Sequence, residues 1–210
     1  MYKNLEKGRS MIEMLGVLAI IAVLSVGGIA GYSKAMEKYK INKTIEEYSA
    51  LMTGLIEYKD NFIKNTSLPL QFDLDEVIFA TQMVPETWKP ASNKKLLDSN
   101  GNILRAYFLE SRKNYVFDLR FTNNKTTNSS FANNLCAAFF KDLAQPLSSQ
   151  IEGMYLLSLK PYDYMGDNFC RAEKSENNND AKCLRDISLA EINNICKDCT
   201  YKNCSIAIVF

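Results

Sequence analysis

The sequence predicts an α+β protein: a long N-terminal helix, half transmembrane and half amphipathic, packed against an antiparallel sheet, with a disulfide-braced C-terminal region. Three observations predict it. Residues 14–31 carry no charge, and an amphipathic helical pattern follows them to about residue 65. Residues 115–122 alternate aromatic or aliphatic side chains with mostly polar ones, the period-two pattern of a strand with one buried face. All six cysteines lie from position 136 onward.

The apolar run comes first. As a helix its eighteen residues cover roughly 27 Å, enough to cross the hydrocarbon of a bilayer. The run exceeds the roughly 7–15 residues of a secretory signal core, and no small-x-small cleavage site ends it, so the helix is expected to stay in the mature protein. Just before the run sits one carboxylate, Glu13. An ionised side chain costs about 2.5–3.5 kcal/mol at mid-membrane on insertion scales, so Glu13 calls for a partner. Lys3, Lys7 and Arg9 outweigh Glu6 at the N-terminal end. That bias keeps the end cytoplasmic and places the rest outside. The cysteines all fall on the outer side, where an even count reads as disulfides.

The basic leader ending in Lys7-Gly8, a glutamate at the fifth position after Gly8, and the unbroken apolar helix resemble the cleavage-methylation signal of type IV pilins and pseudopilins. The resemblance covers residues 1–35. It implies a leader of residues 1–8, cleavage between Gly8 and Arg9 by a prepilin peptidase, N-methylation of Arg9, a helix over residues 9–65 and a globular head over residues 66–210. It also implies assembly with further copies into a helical filament by an inner-membrane machinery. Before assembly the subunit would rest in inner-membrane lipid with its N-terminus cytoplasmic. Afterwards it would stand in an extracellular pilus or a periplasmic pseudopilus. Two positions depart from the family: Arg9 stands where an apolar residue, often Phe, is usual, and no proline occurs between Met1 and Thr66. Gly27, Gly28 and Gly31 weaken the helix instead, each by about 1 kcal/mol relative to alanine. Three readings stay open for them: close helix packing, a segment that melts under tension, or simple tolerance of glycine in membrane helices.

Beyond the run, Ile41, Ile45, Tyr48, Met52, Leu55 and Phe62 recur at helical spacing, widened by Leu51, Ile56, Tyr58 and Ile63. Lys43, Glu46, Glu47, Glu57, Asp60 and Lys64 are expected opposite. This half should lay its apolar face on the head. Residues 66–69, ending in Pro69, break the helix. Asp73 reads as the cap of a short helix running to about Gln82, and Trp88, between Pro85 and Pro90, as a loop anchor. Residues 103–110 and 115–122 form two strands joined by a turn over residues 111–114, with Asn100-Gly101 turning ahead of them. Tyr115, Phe117, Leu119 and Phe121 are expected to face the long helix. After a polar loop over residues 123–129, Ser130 is expected to cap a helix carrying Phe131, Leu135, Cys136, Ala138, Phe139 and Leu143. Residues 154–159 read as a strand and 173–182 as a solvated loop. Ser188 and Glu191 form a capping box, and residues 205–210 a last apolar strand.

Chemistry beyond assembly finds little support. The chain has no histidine, which excludes Ser-His-Asp and Cys-His catalysis, and it shows no P-loop or dinucleotide fingerprint. No enzyme activity, cofactor or metal is expected. Asp73, Asp75, Glu76, Asp163 and Asp167 read as solvated carboxylates. The Cys196-x-x-Cys199 pair admits a zinc or redox reading, but oxidising surroundings favour structural bridges among Cys136, Cys170, Cys183, Cys196, Cys199 and Cys204, whose pairing the sequence does not specify. A net charge of +1 gives no support for nucleic acid as a partner.

The expected function is structural, with the head presented for adhesion, motility or aggregation. The cysteine-rich end and the size look more like the larger type IVb pilins than like the small major pseudopilin. The alternatives are a type II secretion pseudopilin and a membrane-anchored binding protein that does not polymerise.

Overall fold

The computed structural model describes residues 11–64, 69–121, 129–156, 163–170, 182–197, 199 and 204–210. The expectations for Gly8 and Arg9, for the helix break at residues 66–68, for most of the loop at 123–129, for strand residues 157–159 and for loop residues 173–181 lie outside the described residues. So do those for the side chains of Phe62, Ile63 and Asp163. The chain divides into two compact units, Met1–Tyr39 and Lys40–Phe210.

Helix α1 (Met11–Glu57) supplies all the described residues of the first unit and opens the second. Within the second unit it buries Ile41, Ile45, Tyr48, Leu51, Met52 and Leu55, the stripe its periodicity predicts. The helix stops sooner than expected. It is interrupted at Tyr58 before α2 (Lys59–Lys64) resumes, where the Asn61 N–H reaches the Tyr58 carbonyl three residues back at 3.0 Å. Tyr58 thereby leaves the apolar stripe and is 46% exposed.

The remaining elements are β1 (Gln71–Asp73), α3 (Asp75–Ala80), β2 (Lys89–Ala91), β3 (Lys95–Leu97), β4 (Ile103–Leu109) and β5 (Asn114–Arg120), then α4 (Ser129–Ala138), running into a π-helical segment (Phe139–Ala144). After these come β6 (Gly153–Leu156), β7 (Asp163–Met165), α5 (Asp167–Cys170), β8 (Lys182–Cys183), a 3-10 turn (Leu184–Asp186), α6 (Leu189–Cys196) and β9 (Ser205–Val209). The strands form one sheet in the order β2-β3-β4-β5-β9-β6-β7-β8, with β1 beside β4. The last strand, β9, sits in the interior of the sheet, pairing with both β5 and β6. Tyr115, Phe117, Leu119 and Phe121 are buried in the same core as the α1 stripe, and Phe139 joins the two through ring contacts with Tyr48 and Phe121 at 5.2 and 5.4 Å.

Several expectations are corrected. The sheet is mixed, because β7 and β8 pair in parallel. Parallel neighbours need a crossover of roughly a dozen residues or more, and the chain between Met165 and Lys182 provides one. Asp73 does not cap α3: Leu74 holds that place, and the Asp73 carboxylate instead accepts from Arg105 at 3.0 and 3.2 Å. Ser130 lies inside α4 rather than before it. The Gln145 N–H reaches five residues back to the Phe140 carbonyl at 2.9 Å, the wide π turn that buries Phe139, Phe140, Leu143 and Ala144 together.

Gly166 marks a close approach. A Cβ there would overlap the Ile151 carbonyl oxygen and fall 2.7 Å from that of Ser148, while the backbone N–H of Asp167 bonds Ser148 at 2.8 Å. Gly166→Ala is expected to cost about 2–3 kcal/mol by overpacking, read as a lower urea midpoint.

The capping box forms as predicted. Ser188 and Glu191 satisfy each other's backbone N–H groups, and Lys182 pairs with Glu191. The Lys182 ammonium and the Ser188 donors hold the Glu191 carboxyl at about 2, below its ordinary 4.5. With the folded value lowered, this stability is present above about pH 4.5 and is lost as pH falls through about 2. Acid unfolding of Glu191→Gln is expected to show a shallower loss across that window than the parent; equal slopes would remove the assignment.

Candidate functional site

The described residues of the first unit form a single helix, and none of them covers its apolar surface. Twelve large aliphatic side chains between Met11 and Ile29 are each more than half exposed. Fully burying one such side chain is worth about 1.5–3 kcal/mol, so at about two-thirds exposure the twelve together favour a dry environment by roughly 12–24 kcal/mol. That is at least as large as the roughly 5–15 kcal/mol that holds a whole domain folded. By length and composition this helix can cross a membrane. Its two described serines are satisfied internally: Ser25 donates to the Ile21 carbonyl at 2.7 Å and Ser33 to that of Ile29 at 2.9 Å. Each bond removes a polar group that lipid could not satisfy.

Glu13 lies in the first turn of this helix, exposed among Met11, Ile12, Met14 and Leu15. Its carboxylate has no partner among the described residues. The helix continues without a break through Gly27, Gly28 and Gly31, and a Cβ at any of them would meet nothing within 4 Å. Among the described residues, neither a turn nor a tight contact therefore calls for glycine there.

The second unit holds its part of α1 through a buried polar clasp that sequence reasoning missed. Glu47, expected on the solvated face, is 9% exposed and accepts from the Trp88 indole N–H at 2.8 Å. Thr44 accepts from the Asn100 side chain at 2.7 Å, and Tyr48 donates to Asp98 at 3.3 Å. Asp98 also accepts from the backbone N–H groups of Asn100 and Asn102, both at 2.8 Å. The signal was present in Asp98-Ser99-Asn100-Gly101-Asn102: an Asp two residues before Asn-Gly closes an Asx turn, and Gly101 takes the positive φ of 84°. Burial raises the Asp98 carboxyl against the pull of these hydrogen bonds, and burial followed by the Asp98 charge pushes the Tyr48 phenol well up. Trp88 is 3% exposed and packs its ring 5.0 Å from that of Tyr48, so it anchors the loop as expected.

Three disulfides brace the C-terminal region. Cys136 pairs with Cys196, joining α4 to the end of α6. Cys170 pairs with Cys183, closing the crossover between β7 and β8. Cys199 pairs with Cys204 just before β9. The Cys196-x-x-Cys199 residues are thus not bonded to each other. The carboxylates read as solvated divide: Asp73 pairs with Arg105 and Asp167 accepts from Ser148 at 3.2 Å, whereas Glu76 is well exposed beside Lys94.

Comparison of the chain with protein-family models, with curated proteins and with solved structures finds no match.

Proposed function

We propose that this chain is a structural subunit of a type IV pilin-like filament, cut between Gly8 and Arg9, N-methylated at Arg9 and assembled through residues 9–39. One observation carries the reading: a helix with twelve uncovered aliphatic side chains bears a lone carboxylate in its first turn. Lipid alone would cover the aliphatic surface but would leave Glu13 without a counter-ion. A second copy supplies both, because its apolar helix covers the surface and the ammonium that cleavage creates on its Arg9 meets the carboxylate. A pair of this kind adds little net stability, yet breaking it costs about 3–5 kcal/mol, so it selects one register of assembly.

The glycines fit the same reading. Each costs about 1 kcal/mol relative to alanine, and among the described residues nothing approaches the space a Cβ would take. Close packing between copies repays that cost, since small residues let helix axes approach. On the head, Ser49, Ala50, Thr53 and Gly54 line an open groove together with Ile45, Glu46, Glu57 and Asp142, a second small-residue face on the same helix. The folded unit Lys40–Phe210 is the part such a filament would display, for adhesion, motility or aggregation.

Electron microscopy of the material sheared from cells making this chain tests the reading. Thin filaments that bind an antibody against the head are expected. Chain found only in the membrane fraction, as single copies on detergent extraction, would replace the filament with an anchored monomer.

A further inference from the structure

Two of the disulfides lie in one buried cluster. The sulfurs of Cys136, Cys199 and Cys204 all lie within 4.8 Å of one another. Cys136 is bonded to Cys196 and Cys199 to Cys204. All four residues are almost wholly buried. Cys196 and Cys199 are also neighbours through the backbone, the N–H of Cys199 donating to the Cys196 carbonyl at 3.0 Å. A thiolate formed at Cys199 or Cys204 would therefore have, besides its former partner, a disulfide sulfur within reach. Burial slows attack by external thiols but leaves this internal route open once a bridge has been opened. Cys170–Cys183, tying α5 to β8, has no sulfur in the cluster.

We propose that Cys136 is the shared sulfur of an internal thiol–disulfide exchange centre that gives the head two pairings of the same four cysteines. Exchange proceeds by thiolate attack on a disulfide sulfur. A small thiol opens Cys199–Cys204, remaining as a mixed disulfide on Cys199 and releasing the Cys204 thiolate. That thiolate attacks the Cys136 sulfur, a Cys136–Cys204 bond forms, the Cys136–Cys196 bond breaks, and Cys196 leaves as thiolate. Cys196 then attacks Cys199, forms Cys196–Cys199 and expels the small thiol. Two bridges enter and two leave, so the thiol is a catalyst and no oxidant is consumed. The exchange moves the tether of α4 from the end of α6 to the start of β9, the strand inside the sheet.

The test maps disulfides in the full chain after trapping with N-ethylmaleimide in acid. Cys199→Ser places a single thiol at Cys204 and Cys204→Ser places one at Cys199, while Cys183→Ser, which frees Cys170, is the control outside the cluster. Incubated at mildly alkaline pH, the two cluster variants are expected to show Cys136 joined to the new thiol and Cys196 alkylated, at roughly ten times the control level or more. The parent chain, treated with a catalytic amount of glutathione, is expected to acquire Cys136–Cys204 together with Cys196–Cys199, a result that needs no variant to fold. Retention of Cys136–Cys196 alone in the variants and the parent alike would overturn the proposal.

Discussion

Glu13→Ala is expected to enter the membrane and lose its leader normally, yet to yield sheared filament at about a hundredth of the parent level or less. The magnitude follows from the pairing argument. A subunit without the carboxylate leaves the neighbouring Arg9 ammonium unpaired in an apolar contact, at a cost of about 3–5 kcal/mol. Every 1.4 kcal/mol is about a tenfold loss in association. Substitution in the first turn leaves the head intact, because Glu13 belongs to the unit Met1–Tyr39 and the core begins at Ile41. The measurement is the ratio of sheared to membrane-bound chain by immunoblot, with intact mass reporting leader removal in each fraction. Parent amounts of filament from Glu13→Ala would show that register is set elsewhere.

Removing the Cys136–Cys196 bridge is expected to have the largest effect on the stability of the head. A cross-link restricts the unfolded chain more as the loop it closes lengthens. The three bridges span 60, 13 and 5 residues, which corresponds to about 4, 3 and 2 kcal/mol on the loop-entropy relation. Cys136→Ala/Cys196→Ala should therefore lose about 4 kcal/mol, a large share of the roughly 5–15 kcal/mol typical of a domain. Urea denaturation of the full chain in detergent, followed by the fluorescence of Trp88, measures it. Cys199→Ala/Cys204→Ala should lose about half as much; the reverse order would mean that loop length does not govern these bridges.

Much of the fold was legible because its signals are local. Tyr115, Phe117, Leu119 and Phe121 announce a half-buried strand by alternation, and all four are buried. Ser188 and Glu191 announce a capping box by a spacing of three, and it forms. What failed depends on partners distant in the chain. Glu47 looks solvated by helical phase, yet Trp88, forty-one residues on, brings it a donor. Asp73 looks like a cap until Arg105 reaches it across the β1–β4 pair. Gly166 carries no turn signal, and its requirement is the carbonyl of Ile151 on another segment. The parallel β7–β8 pair and the matching of six cysteines likewise depend on which chain ends meet, which local pattern does not encode.

The candidate site divides the same way. The apolar helix and the place of Glu13 in its first turn were readable from the first residues of the run, because the length of an apolar stretch and the position of one carboxylate are properties of a short segment. The clasp of Thr44, Glu47 and Tyr48 on Asp98, Asn100 and Trp88 was not, although its turn half was written in residues 98–102. The clasp fastens residues 40–57 into the head. In the proposed filament, load drawn along α1 would enter the head through these contacts and the apolar stripe beneath them.

In the proposed filament the aliphatic helix finds cover and counter-ion in another copy after the leader is removed. The intact mass of the chain recovered from sheared fibres tests it most directly. The expected mass is that of residues 9–210 with one added methyl group and six hydrogens lost to three disulfides. A chain that keeps residues 1–8 and occurs only as single copies in the membrane would contradict it.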